Sequence, residues 1–128
     1  LMMVRQPERF EGIVTNNMFG DILTDLGAAL AGGLGLAASA NLHPGRTSMF
    51  EPVHGSAPDL VGTRKANPMG AVLSAGLMLD FLGHPEAARC LEEAVRGAVR
   101  AGFTAPDLGG SRGTVAVGDE LARRVAAR

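Results

Sequence analysis

Apolar positions along the chain follow two rhythms, one of period near four and one of alternation, with glycine- and proline-rich stretches between them. Met2 to Arg5 reads as the end of a helix, with Arg5 and Pro7 as closing signals. Phe10 to Thr15 alternates briefly and predicts a short strand, bounded by Asn16 and Asn17. In MFGDILTDLGAALAGG, Ile22, Leu26, Ala29 and Leu30 recur at helical spacing. Glycine in GGLGLAASANLHPG then ends that helix and loosens the backbone. Ser48 to Val53 reads as a second brief strand. A strongly apolar helix follows from Asn67, a good N-cap, with Pro68 at the first helical position, and stops at Gly83. Pro85 to Arg100 is amphipathic, with Ala88, Leu91, Val95 and Val99 along one face. After the loop TAPDLGGSRG, Thr114 opens a last helix through Leu121 to Val125. Two strands and four or five helices predict an α/β fold with an incomplete sheet and several packed helices.

Composition narrows the function classes. At 128 residues the chain is the size of one domain and can bury a core. A net charge of -1, with scattered basic residues, argues against nucleic acid as a partner. The single cysteine, Cys90, excludes an internal disulfide and a cysteine-rich zinc site, and its apolar neighbours predict a buried helix position. No apolar run is long enough to span a membrane, and no signal-peptide pattern opens the chain; a cytoplasmic protein is expected. His43 and His84, each beside a proline, read as surface residues.

Three stretches could carry chemistry. Asp21 and Asp25 lie four residues apart, which on a helix places them about 40° apart and one turn from each other. Such a pair repels itself unless a cation lies between, and oxygen-only donors favour Mg²⁺ or Mn²⁺. The alternative is a helix start, with Asp21 in the first turn complementing the dipole and Asp25 facing solvent. Gly33 to Ala38 fits G-x-G-x-x-A, but it trails a helix instead of opening one, so it is no dinucleotide fingerprint. The third stretch is FEPVHGSAPDL, Phe50 to Leu60. Pro52 and Pro58 stiffen it, Gly55 and Ser56 leave amides free for an anion, and His54 can bond a ligand or close the turn. Asp59 could accept both hydroxyls of a ribose, or His54 and Asp59 could cap local backbone.

VTNNMFGDILTDLGA, EPVHGSAPDLVGTRKANP and APDLGGSRGT together resemble the conserved segments of the metal-dependent β-decarboxylating dehydrogenases. That family includes 3-isopropylmalate, tartrate/D-malate, homoisocitrate and isocitrate dehydrogenases. The resemblance implies that Asp21 and Asp25 are metal ligands for Mg²⁺ or Mn²⁺. It implies that the stretch from Gly55 to Asn67 wraps the adenosine half of NAD, with His54, Gly55, Ser56, Ala57, Asp59, Leu60 and Asn67 as cofactor-binding residues. Glu51 and Asn17 belong near the nicotinamide. Asp59 followed by Leu60 looks like the NAD-type pair, where relatives using NADP carry Lys-Tyr. Asn16 stands where an acidic residue is common.

The implied chemistry is oxidative decarboxylation of a 2-hydroxy diacid. The ranking of substrates places 3-isopropylmalate first, with tartrate or D-malate as the alternative and a non-catalytic remnant or partial gene product as a third reading. The family's catalytic Lys and Tyr, its substrate-binding arginines and a third metal Asp match positions upstream of Leu1. The chain thus resembles the C-terminal third of such an enzyme, with no catalytic residue of its own, and is expected to be inactive alone. Residues 1–128 are read as one partial unit, with about 10–30 from the dimer-forming subdomain and about 31–128 from the cofactor-binding subdomain. A homodimer is expected for the intact enzyme. The helix faces of Ala71 to Phe81 and Ala87 to Val99 are expected to be partly uncovered.

Overall fold

The computed structural model describes residues 1–127. The chain runs through α1 (Met2–Arg5), α2 (Asn17–Leu30), β1 (Ala38–Asn41), β2 (Met49–Pro52), α3 (Met69–Phe81), α4 (Pro85–Arg100) and α5 (Thr114–Ala126). Short 3₁₀ turns occupy Pro7–Arg9, Leu34–Leu36, Pro58–Leu60 and Pro106–Leu108. The fold is mixed α/β, as the pattern predicts.

The helical expectations hold where the chain supplies caps. The Asn16 side chain accepts the Phe19 amide at 3.2 Å and opens α2. Asn67 Oδ1 accepts the Met69 amide at 3.0 Å, so Asn67 caps α3 with Pro68 in helical conformation behind it. Gly83, with φ of +86°, ends that helix turn.

The strands depart from expectation. Phe10 to Thr15 forms no strand: it pairs with no neighbour, Val14 points into solvent, and Phe10 and Ile13 are exposed. Alternation alone makes no strand without a partner for the backbone amides. The strand that does form beside β2 is β1, in a stretch read as loosened backbone. It is antiparallel to β2, with Ala38 opposite Pro52 and Asn41 opposite Met49. Its small residues, Ala38, Ser39 and Ala40, carry little strand propensity, and the hairpin is held by α3 packing across both strands.

α3 is the centre of the molecule, touching β1, β2 and α4, while α5 packs against α4. The core comprises Met69, Ala94, Val95, Ala98, Ala105, Val117 and Leu121, flanked by half-buried Leu36, Val72, Leu73, Leu108 and Val125. On α4 the buried residues are Ala94, Val95 and Ala98, and Val99 is exposed. Three of the four predicted positions are covered, Val95 fully and Ala88 and Leu91 in part, and both α3 and α5 pack against this helix. Gly70 lets α3 approach the hairpin: a Cβ there would lie 3.1 Å from the Gly35 carbonyl. On α3 itself Leu77, Met78 and Phe81 remain uncovered, as expected.

Candidate functional site

Two adjoining clefts lie around the loop between β2 and α3. The first, about 940 Å³, is bounded by α2, the hairpin and the start of the loop, and its wall includes Asp21, Glu51, His54 and Gly55. The second, about 550 Å³, is lined by Leu34, Gly35, His54, Gly55, Ser56, Ala57, Leu60, Lys65, Asn67 and Asp107 among others. His54 and Gly55 belong to both walls. The acidic helix and the proline-braced loop thus meet at a shared edge.

Asp21 is the fifth residue of α2, and no acidic residue occupies the first turn. The helix start is capped by Asn16 instead, so the dipole-complement alternative for Asp21 does not describe this helix. Asn17 donates weakly to Asp21 Oδ2 at 3.4 Å, and Thr24 Oγ1 donates to the Asp21 carbonyl at 3.1 Å. Asp25 sits one turn further along and is exposed; it is not part of the first cleft's wall. Neither is Asn17. Among the described residues no group of three or more His, Cys, Asp or Glu side chains converges. Two carboxylates are all oxygen donors and suit a hard dication, leaving about four of its six places to water or other oxygens. The residues present fit such an ion in part.

The loop carries local backbone strain. Ala57 holds a left-handed conformation, φ +43° and ψ +64°, immediately before Pro58. A non-glycine residue there costs on the order of 1 kcal/mol and persists only where surroundings enforce it. His54 Nδ1 lies 3.0 Å from the Gly55 carbonyl. A carbonyl only accepts, so Nδ1 carries the proton, and Nε2 of a neutral ring is left as an acceptor. This is the local turn closure weighed for His54. Asp59 lies in the Pro58–Leu60 turn, exposed and outside the lining of the second cleft, which its neighbour Leu60 joins. No hydrogen bond or ion pair engages Asp59 among the described residues, so it caps no backbone.

Sequence reasoning missed the stretch that closes the second cleft from behind. Residues 104–114 are tied to the loop by Thr114 N to Arg64 O at 2.8 Å and Thr114 Oγ1 to Ala66 O at 2.6 Å. Asn67 Nδ2 donates to Asp107 Oδ2 at 2.9 Å. The stretch is closed on itself by Arg112 N to Thr104 O at 3.0 Å, with the Arg112 guanidinium over the Phe103 ring. Gly35, inside the rejected glycine motif, also reaches this place: a Cβ there would collide with the Asp107 carboxylate. APDLGGSRGT was the only signal for this contact, and nothing in it names the partner.

A family model described as isocitrate/isopropylmalate dehydrogenase matches residues 1–121. The chain belongs to that family. Within the isocitrate/isopropylmalate dehydrogenase family it is 51% identical over 134 residues to a 3-isopropylmalate dehydrogenase of Thermobifida fusca, covering 98% of this chain and 35% of that one. It is 54% identical over 116 residues to an isocitrate/homoisocitrate dehydrogenase of Thermus thermophilus, covering 91% and 34%. Its fold matches a crystal structure of isocitrate dehydrogenase from Methylococcus capsulatus with TM-score 0.89 and 45% identity, over 97% of this chain and 37% of that one. A β-decarboxylating dehydrogenase from Thermococcus kodakarensis matches with TM-score 0.87 and 41% identity, over 98% and 37%. The chain spans about a third of the length of these relatives. The fold that the resemblance implied is the fold of this family, present in part.

Proposed function

We propose that the chain carries the nucleotide cleft and part of the metal site of an oxidoreductase that oxidatively decarboxylates a 2-hydroxy diacid, using NAD and Mg²⁺ or Mn²⁺. The observation that carries this reading is the shared edge of the two clefts, His54 and Gly55, which sets the acid-bearing helix beside the loop's cradle. A 550 Å³ cleft with apolar lining and few polar groups suits a nucleoside. Family membership supports the dehydrogenase class, and relatives named for 3-isopropylmalate favour that substrate over tartrate or D-malate. The whole protein is proposed as a cytoplasmic homodimer. Among the described residues no helix is long and apolar enough to cross a membrane.

When bound, the dication supplies Lewis-acid polarisation of substrate oxygens and NAD supplies the hydride acceptor. The chain's own residues place them. Asp21 and Asp25 hold the ion from one helix face, with Glu51 and Asn17 on the nicotinamide side. Gly55, lacking a side chain, admits a close approach of ligand to backbone, and Ser56, Ala57 and Leu60 wall the adenosine. The free Asp59 carboxylate accepts the two ribose hydroxyls and repels a 2′-phosphate.

Calorimetric titration of the chain with AMP and with adenosine 2′,5′-bisphosphate tests this. AMP is expected to bind at least about tenfold tighter, since a like-charge contact costs upwards of 1 kcal/mol. Equal or tighter binding of the bisphosphate overturns the NAD assignment; binding of neither overturns the nucleotide reading.

A further inference from the structure

Asn67 makes two contacts whose chemistry fixes the orientation of its amide. Its Oδ1 accepts from the Met69 backbone N–H at 3.0 Å, and its Nδ2 donates to Asp107 Oδ2 at 2.9 Å. An ionised carboxylate only accepts and a backbone N–H only donates. Turning the amide over would set oxygen against oxygen and N–H against N–H. One orientation therefore satisfies both neighbours. After these bonds the amide keeps one N–H and one oxygen lone pair, and the half-buried Asn67 belongs to the wall of the second cleft.

Room for Asp107 is provided by a residue distant in sequence. A Cβ on Gly35 would collide with the Asp107 carboxylate and lie 3.0 Å from Asn67 Nδ2. The backbone around Asp107 is held by the 3₁₀ turn Pro106–Leu108 and by Gly109, whose φ of +74° turns the chain back. The strap from residue 104 to 114 is anchored to the loop through Arg64 and Ala66. Gly35, Asn67 and Asp107 thus come from three separate segments and meet at one edge of the cleft, which all three line.

We propose that Asp107 is a positioning residue for base recognition: by locking the Asn67 amide, it presents one donor and one acceptor in fixed order to the nucleobase, with Gly35 keeping the space it needs. This rests on the nucleotide reading of the second cleft. A donor–acceptor pair in fixed order complements an adenine edge, which offers an amino group beside a ring nitrogen acceptor. Hypoxanthine presents a carbonyl in place of that amino group, and the locked amide mismatches it. An amide free to turn accommodates either base.

The test is calorimetric binding of AMP and IMP to the full chain and to Asp107→Ala, Asp107→Asn, Gly35→Ala, Asn67→Ala and the Asp107→Ala/Asn67→Ala double variant. The unmodified chain is expected to prefer AMP by about tenfold, in the range of one such paired contact. Asp107→Ala and Gly35→Ala bring the preference to within about threefold, chiefly by tightening IMP relative to AMP. Asp107→Asn retains most of the preference, because its side-chain oxygen can still accept from Asn67 Nδ2. In the Asn67→Ala background Asp107→Ala changes nothing further. Equal weakening of AMP and IMP in Asp107→Ala, or an unchanged preference, overturns the proposal and leaves a structural strap only. Should Asp107→Ala fail to fold, the Gly35→Ala preference decides in the same way. Failure of the nucleotide reading shows elsewhere, as absence of AMP binding by the unmodified chain, and removes this proposal with it.

Discussion

Asn16 and Asp21 divide the work at the start of α2. The amide side chain caps the helix, and the carboxylate, five residues in, is free to face the first cleft. If Asp21 and Asp25 hold a dication, Asp21→Asn and Asp25→Asn should each weaken Mn²⁺ binding by about tenfold or more, and the double variant should lose it. Electron paramagnetic resonance titration of Mn²⁺ reads this directly; unchanged affinity in the double variant removes both residues from the metal site. Single residues were also where the sequence was most informative. Asn67 announced its cap because cap chemistry is local, and the acidic pair announced itself by spacing. Asp107 and Gly35 were silent because their meaning lies in a contact across 40 and 72 positions, which local pattern does not encode. Ala57 was silent too: nothing in an alanine's identity foretells a left-handed φ of +43°.

Among elements, α5 carries the titratable feature with a definite sign. Glu120 accepts from Arg123 Nε at 2.9 Å and Nη2 at 2.8 Å, and from Arg124 Nε at 2.7 Å. The Arg123 hydrogen bonds lead in holding its carboxyl below the ordinary value of 4.5; desolvation opposes them next, and the Arg124 hydrogen bond adds to the lowering. A carboxylate depressed in the folded state stabilises above its unfolded pKa, and that contribution fades as the pH falls through the lower folded value. Glu120→Gln is therefore expected to lower the melting temperature at pH 7. The difference from the unmodified chain should shrink below pH 4.5. A difference that persists undiminished in acid assigns the effect to packing instead. Helices were legible at this scale because capping and a 3.6-residue rhythm are properties of contiguous residues. Strands were not. Phe10 to Thr15 alternates and stays unpaired, whereas Ala38 to Asn41 pairs because α3 and β2 present it with neighbours. On α4 the helical rhythm located the covered Ala88, Leu91 and Val95 and missed only at Val99, near the helix end.

At the scale of the whole molecule, the core is small, with Met69 and Val117 the largest fully buried side chains. Met18, Phe19, Ile22, Leu26 and Leu30 of α2 lie open to solvent. Exposed apolar stripes of this kind favour association, so the chain is expected to bind a hydrophobic dye and to elute larger than a monomer on gel filtration; a dye-silent monomer with a sharp melt contradicts this. The chain has no tyrosine, and its single lysine, Lys65, lines the second cleft. With no proton-transfer group of the kind the family resemblance implies, the chain alone should reduce no NAD⁺ with any 2-hydroxy diacid. Turnover above background in an absorbance assay at the NADH band would refute that.

The strap from residue 104 to 114 has a consequence in time as well as in space. Its bonds to Arg64 and Ala66 and its carboxylate at Asn67 join parts of the chain some forty to fifty residues apart. During synthesis, loop and hairpin leave the ribosome well before Asp107 and Thr114 do. A nascent chain halted at about residue 100 would own every wall of the second cleft except the one that orients Asn67. On the reading proposed above, the residue that orients Asn67 is the last of the cleft's lining to be synthesised.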